Sequence, residues 1–202
     1  MTSFTLTKNQ PFNLTKSAPA LRKIRFGMGW DANQVVNGKD FDLDVSAILV
    51  GDDNLMVDRQ SYGGYVGYVR EGYSAHGVVY GGDNRDGQGD GDNEFLEVDL
   101  DKVGFEVKRI VIATTIYAGR SRKQNFSQVR NAFIRLHDME TDNEVARLNL
   151  SSTAGSVATA IIFGELVRTT TGWSFTSNES PIEGGLSGVL GKYGITIPEE
   201  VE

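Results

Sequence analysis

Cysteine is absent from the chain, and histidine occurs only twice, at His76 and His137. These absences exclude disulfides, thiolate metal sites, iron–sulfur clusters, a cysteine nucleophile and a multi-histidine zinc site. Proline is scarce, at four residues, and no apolar run approaches the ~20 residues of a membrane-spanning helix. The segment Met1-Thr-Ser-Phe-Thr-Leu-Thr-Lys8 lacks the apolar stretch of a secretory signal, so a soluble, cytoplasmic protein is expected. Glycine is abundant, with 24 of 202 residues, against a usual ~7%. With 39% apolar residues the chain is too hydrophobic for disorder, and its glycine argues against a helical bundle.

Basic residues are scarce in one region. Residues 31–101 hold 16 acids against 4 bases, a net of −12, while the rest of the chain is +5 and the whole is −7. An acidic block of this kind is a poor match for nucleic-acid phosphates, and no nucleic-acid partner is expected.

Short alternating segments dominate the apolar pattern. Ile24, Phe26 and Met28 share one face, as do Phe41, Leu43 and Val45, and then Leu96, Val98 and Leu100. The β-branched run 108–117 reads as a buried strand, and further strands are expected over 132–137, 144–150, 159–168 and 172–176. Turn signals separate them at Asn37-Gly38, Gly51–Asn54, Asp83–Gly91, Gly119 and Thr171-Gly172. The pattern predicts an all-β antiparallel sandwich forming one domain over 1–202. Helices are few. Leu186, Val189, Leu190 and Tyr193 predict a helix over roughly 185–193 capped by Gly194, and 127–130 suits a single turn.

Two acidic stretches carry the candidate chemistry. In Phe41-Asp-Leu-Asp44, the carboxylates of Asp42 and Asp44 project from one face of a strand, opposite Phe41, Leu43 and Val45. The loop Gly81–Glu94 holds five acids, five glycines and two asparagines, with Arg85 its only base. Asp, Asn, Glu and backbone carbonyls are the hard oxygen donors of Ca²⁺, which takes about six to eight of them. If both stretches meet, Asp31, Asp42, Asp44, Asp83, Asp90, Asp92 and Glu94 place seven carboxylates together. Repulsion of about 4 kcal/mol per close pair then favours two bridged ions. An EF-hand register exists at Asp86, Asp90, Gly91 and Glu97, but Gln88 fills the third position and the flanks are strands.

The sequence also resembles a known family, the tellurium-resistance TerD-type stress proteins. The resemblance is carried by Leu14-Thr-Lys16, Gly29-Trp-Asp31, Phe41–Asp44, Gly82-Asp-Asn-Arg85 and Gly87–Glu94. It continues through Phe126–Val129, Ala132–Leu136, Phe163–Leu166, Gly184–Leu186 and Tyr193–Ile195, covering nearly the whole chain in family order. It implies a β-sandwich binding two adjacent Ca²⁺ ions at one end, with associations to tellurite, phage and colicin resistance. Carried onto this chain, the implied ligands are Asp31, Asp42, Asp44, Asp83, Asn84, Asp90, Asp92 and Glu94. Asp86 and Gln88 depart from the family pattern.

Other signals carry less. The fingerprint-like run Gly27–Ala32 is followed by a turn where a dinucleotide site needs a helix. The basic tip Gly119–Lys123 reads as an exposed turn, with contact to phosphate or an acidic partner as the alternative. His76 either lines the edge of the acidic loop or is an ordinary histidine. Trp30 reads as core packing that positions Asp31. The segment Tyr62–Tyr73, with four of the seven tyrosines, is either a partner-binding loop or a hairpin packed on the sandwich. The expected function is a calcium-dependent protein-interaction module rather than an enzyme, with no small-molecule substrate identified. The alternatives are a calcium-dependent binder of the inner membrane surface and a metal-dependent phosphohydrolase.

Overall fold

The alternation at 24–28 becomes strand β3 (Lys23–Gly29), whose Ile24, Phe26 and Met28 are fully buried. The computed structural model describes residues 21–34, 38–70, 72–89, 91–149 and 157–197, and the backbone of strands β1 (Phe4–Thr5) and β2 (Pro11–Phe12). Leu14-Thr-Lys16, Asn37 and Asp90 lie outside the described residues.

The remaining strands are β4 (Leu43–Val50), β5 (Tyr65–Val66), β6 (Ser74–Ala75), β7 (Val78–Tyr80), β8 (Glu94–Asp99) and β9 (Arg109–Ile116). They are followed by β10 (Phe133–Asp138), β11 (Asn143–Asn149), β12 (Ala160–Thr169) and β13 (Gly172–Ile182). Among the described residues they form a seven-stranded sheet, β1-β11-β10-β3-β8-β7-β6, and a six-stranded sheet, β2-β13-β12-β9-β4-β5. All pairings are antiparallel except the short β1–β11 contact. The expected all-β sandwich is the observed architecture.

Side chains at alternate positions of both sheets fill the space between them. Phe26 packs on Phe163 and Phe175, at centroid distances of 6.4 and 5.6 Å. Leu43, Val45, Ala47 and Leu49 of β4 belong to this core. The opposite faces of β4 and β9 are buried as well. Ile48, Val50, Val111 and Ala113 form a second apolar cluster with Leu186, Val189 and Leu190 of helix α2 (Gly185–Gly191). Burial on both faces explains why 108–117 lacks a polar face. The end of α2 is closed by Gly194, at φ 79°, with N–H donation from Ile195 to Leu190 O and from Gly194 to Gly191 O. This is the 6→1 and 5→2 pattern for which glycine is suited.

Two segments differ from their sequence expectation. Strand β13 runs six residues past 176, to Ile182. Among the described residues its partner β2 covers only Phe175 and Thr176, so that side of β13 is an edge at Pro181, which needs no N–H there. The basic tip is a four-residue helix, α1 (Gly119–Arg122), rather than a bare turn. The described residues of Tyr62–Tyr73 are folded onto the sandwich. Tyr65 and Val66 are buried as β5 against β4, Tyr68 packs on both apolar clusters, and the Tyr73 hydroxyl donates to Gly63 O at 3.2 Å.

Candidate metal centre

The two acidic stretches meet at the start of β4, and Trp30 ties them together. Its Nε1–H donates to the Phe41 carbonyl at 3.0 Å, immediately before Asp42. Its backbone N–H donates to Asn93 Oδ1 at 3.0 Å. Gly87 of the acidic loop lies flat on the indole, with φ +70°, and a Cβ there would stand 2.5 Å from Nε1. Glycine is required at this position by both backbone and contact.

Asp42, Asp44 and Asp83 each present one carboxylate oxygen, and the three oxygens lie within 4.8 Å of one another. Asp42 and Asp44 are buried, and the Asp83 side chain is 18% exposed. The alternation along β4 thus sends Asp42 and Asp44 to the same face, as expected. Like charges at this spacing repel by about 3–4 kcal/mol per pair at an effective dielectric of ~20. Two arginines offset part of this repulsion. Arg85 Nε donates to Asp83 Oδ2 at 2.6 Å, and Arg122 Nη1 stands 3.6 Å from Asp42 Oδ2. Asp44 has neither. Its Oδ2 is buried and accepts no hydrogen bond. Burial, with Glu94, Asp42 and Asp83 close by, pushes its pKa well above the ordinary carboxylate range. Asp42 is raised by burial, with Arg122 pulling it down.

Glu94 stands behind this cluster and is fully buried. β5 pairs only with Ala47 and Ile48, and the N–H of Val45, past the end of that pairing, donates to Glu94 Oε2 at 2.9 Å. Oε1 accepts from the Tyr80 hydroxyl at 2.8 Å and from Asn84 N–H at 3.2 Å. Glu94 therefore holds the acidic loop to β4 with both oxygens engaged by the protein. Burial still raises its pKa to about 8, against these three donors.

Of the other sequence-expected ligands, Asp90 lies outside the described residues, and Asp31, Asn84 and Asp92 have other partners. Asp92 accepts two hydrogen bonds from Arg135, at 2.7 and 3.1 Å, and lies over Gly27, where any Cβ would meet its carboxylate. Asp31 accepts from Asn131 Nδ2 at 2.8 Å. Asn84 Oδ1 accepts from the N–H groups of Gly87 and Asp86, shaping the loop. Among the described residues, three of the expected seven carboxylates converge, with Glu94 behind them. His76 does not line the acidic edge. Its Nδ1 lies 3.0 Å from Glu106 Oε1.

The three aspartates line an open cleft of about 760 Å³ with Lys39, Asp40, Tyr68, Arg85, Tyr117 and Arg122. Sequence reading did not place Arg122, Tyr117 or Tyr68 here. The basic tip was a visible signal, but only α1 turns Arg122 back toward Asp42.

The raised carboxyls give a pH prediction for the metal-free protein. A folded-state pKa above the unfolded value means that the native state holds a proton the unfolded chain has already released. Stability is then full below the unfolded value of 4.5 for Glu94 and is lost as pH rises toward about 8. In chelator, thermal midpoints measured from about pH 5 to about pH 8 should fall, and Glu94→Gln should flatten the decline. A midpoint that rises across this window in the wild type would contradict the assignment.

Comparison with known proteins gives one family. The TerD domain family model matches residues 1–193. The chain is 39% identical to tellurium resistance protein TerD of Serratia marcescens, covering 96% of this chain and 98% of that one. It is 37% identical to general stress protein 16U of Bacillus subtilis, covering 96% and 99% respectively. A solved structure titled as a homologue of telluride resistance protein (TerD), from Streptomyces coelicolor A3(2), superposes with a TM-score of 0.68 at 19% identity, over 86% of this chain and 96% of that one. No helix among the described residues is long and apolar enough to cross a membrane.

Proposed function

Because the chain belongs to the TerD domain family, whose members carry tellurium-resistance and stress-protein names, we propose that it is a calcium-binding stress-response module with its ion among Asp42, Asp44 and Asp83. The observation that carries this reading is the Asp44 oxygen, buried without a donor beside two more carboxylates. An unpaired buried charge is costly, and a cation at the point where the three oxygens converge removes the cost. The donor set is all oxygen, which suits a hard ion. The cleft opens to solvent, so water can complete the six to eight ligands of Ca²⁺, whereas Mg²⁺ demands a tighter octahedron.

Among the described residues, the converging oxygens account for one ion. A second would draw on Asp90, which lies outside the described residues, or on Asp31, Asn84 and Asp92, whose side chains are held by Asn131, the loop backbone and Arg135. An ion at the first position fastens the loop 81–94 to β4, and calcium-dependent protein partners would read the surface so formed.

Calorimetric titration of Ca²⁺ into chelator-stripped protein tests the reading. Saturable binding is expected, and Asp44→Asn should weaken it by more than the roughly 10–100-fold loss typical of outer-shell substitutions. Absence of binding by the wild type, or equal binding by Asp44→Asn, would overturn it.

A further inference from the structure

The same cleft contains three cations that a calcium site alone does not require. Lys39, Arg85 and Arg122 line it with Asp40, Asp42, Asp44 and Asp83, which makes a net charge of −1. One divalent ion among the aspartates reverses this to +1. It also competes directly with the two arginines, since Arg85 Nε is bonded to Asp83 and Arg122 faces Asp42. The Arg85 side chain is 77% exposed and can leave its partner at little cost. Arg122 is anchored by its backbone in α1 and lies over the Tyr117 ring, 5.0 Å from its centroid, so it stays at the mouth of the cleft when its carboxylate is taken.

Resting on the calcium reading above, we infer that Arg85 and Arg122 are counter-ions that calcium displaces, and that the displaced arginines and the ion together bind a phosphate ester. The chemistry selects phosphate over carboxylate. A phosphate monoester carries about −1.5 to −2 charge at neutral pH and three strong acceptor oxygens. It can therefore give the ion and each guanidinium group an oxygen of its own, whereas a carboxylate would have to share two oxygens among the three. Guanidinium groups match phosphate geometry through paired N–H donors. The organic part of the ester has a wall to lie against, formed by Tyr68 and Tyr117, which pack edge to face at 5.9 Å. Without the ion the cleft is net negative and its arginines are occupied, so anion binding is conditional on calcium.

The test uses the full chain, Ca²⁺ and phenyl phosphate, with the variants Arg85→Gln, Arg122→Gln and the double variant. Binding of phenyl phosphate, followed by backbone amide shifts, should be about tenfold or more tighter with Ca²⁺ than after chelation, a difference of about 1.4 kcal/mol. Each variant should weaken that binding and at the same time bind Ca²⁺ more tightly than the wild type, because a competitor for the carboxylates has gone. Should the double variant not fold, Arg85→Gln alone decides, since its side chain is solvent-exposed. Sedimentation with phosphatidylcholine vesicles, with and without phosphatidic acid, separates the sources. Calcium- and arginine-dependent pelleting assigns the ester to a lipid headgroup, and phenyl phosphate binding without pelleting assigns it to a soluble ester. Calcium binding with no phosphate response, or variants that bind calcium no more tightly, overturns this inference and leaves the calcium site standing. Failure of the wild type to bind calcium overturns both.

Discussion

Calcium added to chelator-stripped protein is expected to raise the midpoint of thermal unfolding by roughly 8–16 °C. Free ion at ~1,000 times its Kd contributes about 4 kcal/mol at one site, and for a chain of this size each kcal/mol moves the midpoint by roughly 2–4 °C. Mg²⁺ should give a much smaller rise, because an open three-carboxylate site does not enforce its octahedron. Asp44→Asn separates the two halves of the effect. Without metal it should stabilise the protein by about 1–3 kcal/mol, because it removes a buried carboxyl with a donorless oxygen crowded by Asp42 and Asp83, and supplies an amide donor toward them. With calcium it should lose the shift. A substitution that raises the metal-free midpoint while erasing the calcium response is characteristic of a ligand, and a residue serving only structure would lower the midpoint in both conditions. Scanning calorimetry of the two proteins, each with and without calcium, decides between them.

The second large effect is expected at Trp30. The side chain is buried in the main core, and Trp30→Ala should cost about 3–5 kcal/mol, a fall of roughly 6–20 °C in midpoint. The more specific consequence concerns the ion. Trp30 touches both acidic stretches, through the Phe41 carbonyl and through Gly87, and loosening it should let Asp83 drift from Asp42 and Asp44. Trp30→Phe keeps an aromatic ring but loses the N–H bond to Phe41 and the pyrrole edge that meets Gly87, so it should cost at least about 1–2 kcal/mol and weaken calcium binding. Gly87→Ala attacks the same contact from the loop side, where positive φ and the indole both oppose a methyl group. The control is Phe175→Leu, a core substitution remote from the loop. If it lowers calcium affinity as much as Trp30→Phe does, Trp30 has no special part in the site.

The sandwich was legible because its signal is local. Alternation at 24–28, 41–45 and 96–100 needs only neighbouring residues, and each segment became a strand with the expected face inward, Phe41 falling just before β4 and Leu100 just after β8. The short helix after 184 was legible for the same reason, from its apolar spacing and Gly194. Strand β13 was under-read because Asn178, Glu179, Ser180 and Pro181 look like a terminator, although an edge strand tolerates them. The site was legible only in part. Asp42 and Asp44 share a face by the two-residue period of a strand, and Gly87 marks a loop that must turn tightly.

Which carboxylates meet could not follow from composition. Asp83 reaches Asp42 and Asp44 because β8 and β4 come together at one end of the sandwich, through Glu94 and the Val45 N–H. Asp92, only two residues before Glu94, turns to the other face of its sheet and meets Arg135, which pairs with Gly27 across β10 and β3. A two-residue shift in the chain therefore separates a residue at the ion cleft from one in an ion pair. Arg122 enters the cleft because α1 reverses the chain after β9. By itself, then, the sequence determined the all-β architecture, the family and the acidic loop, since periodic patterns and contiguous motifs act over a few residues. The tertiary structure alone decided that three aspartates share the cleft with two arginines, because that depends on strand register and on contacts between segments about 40 and 80 residues apart in the chain.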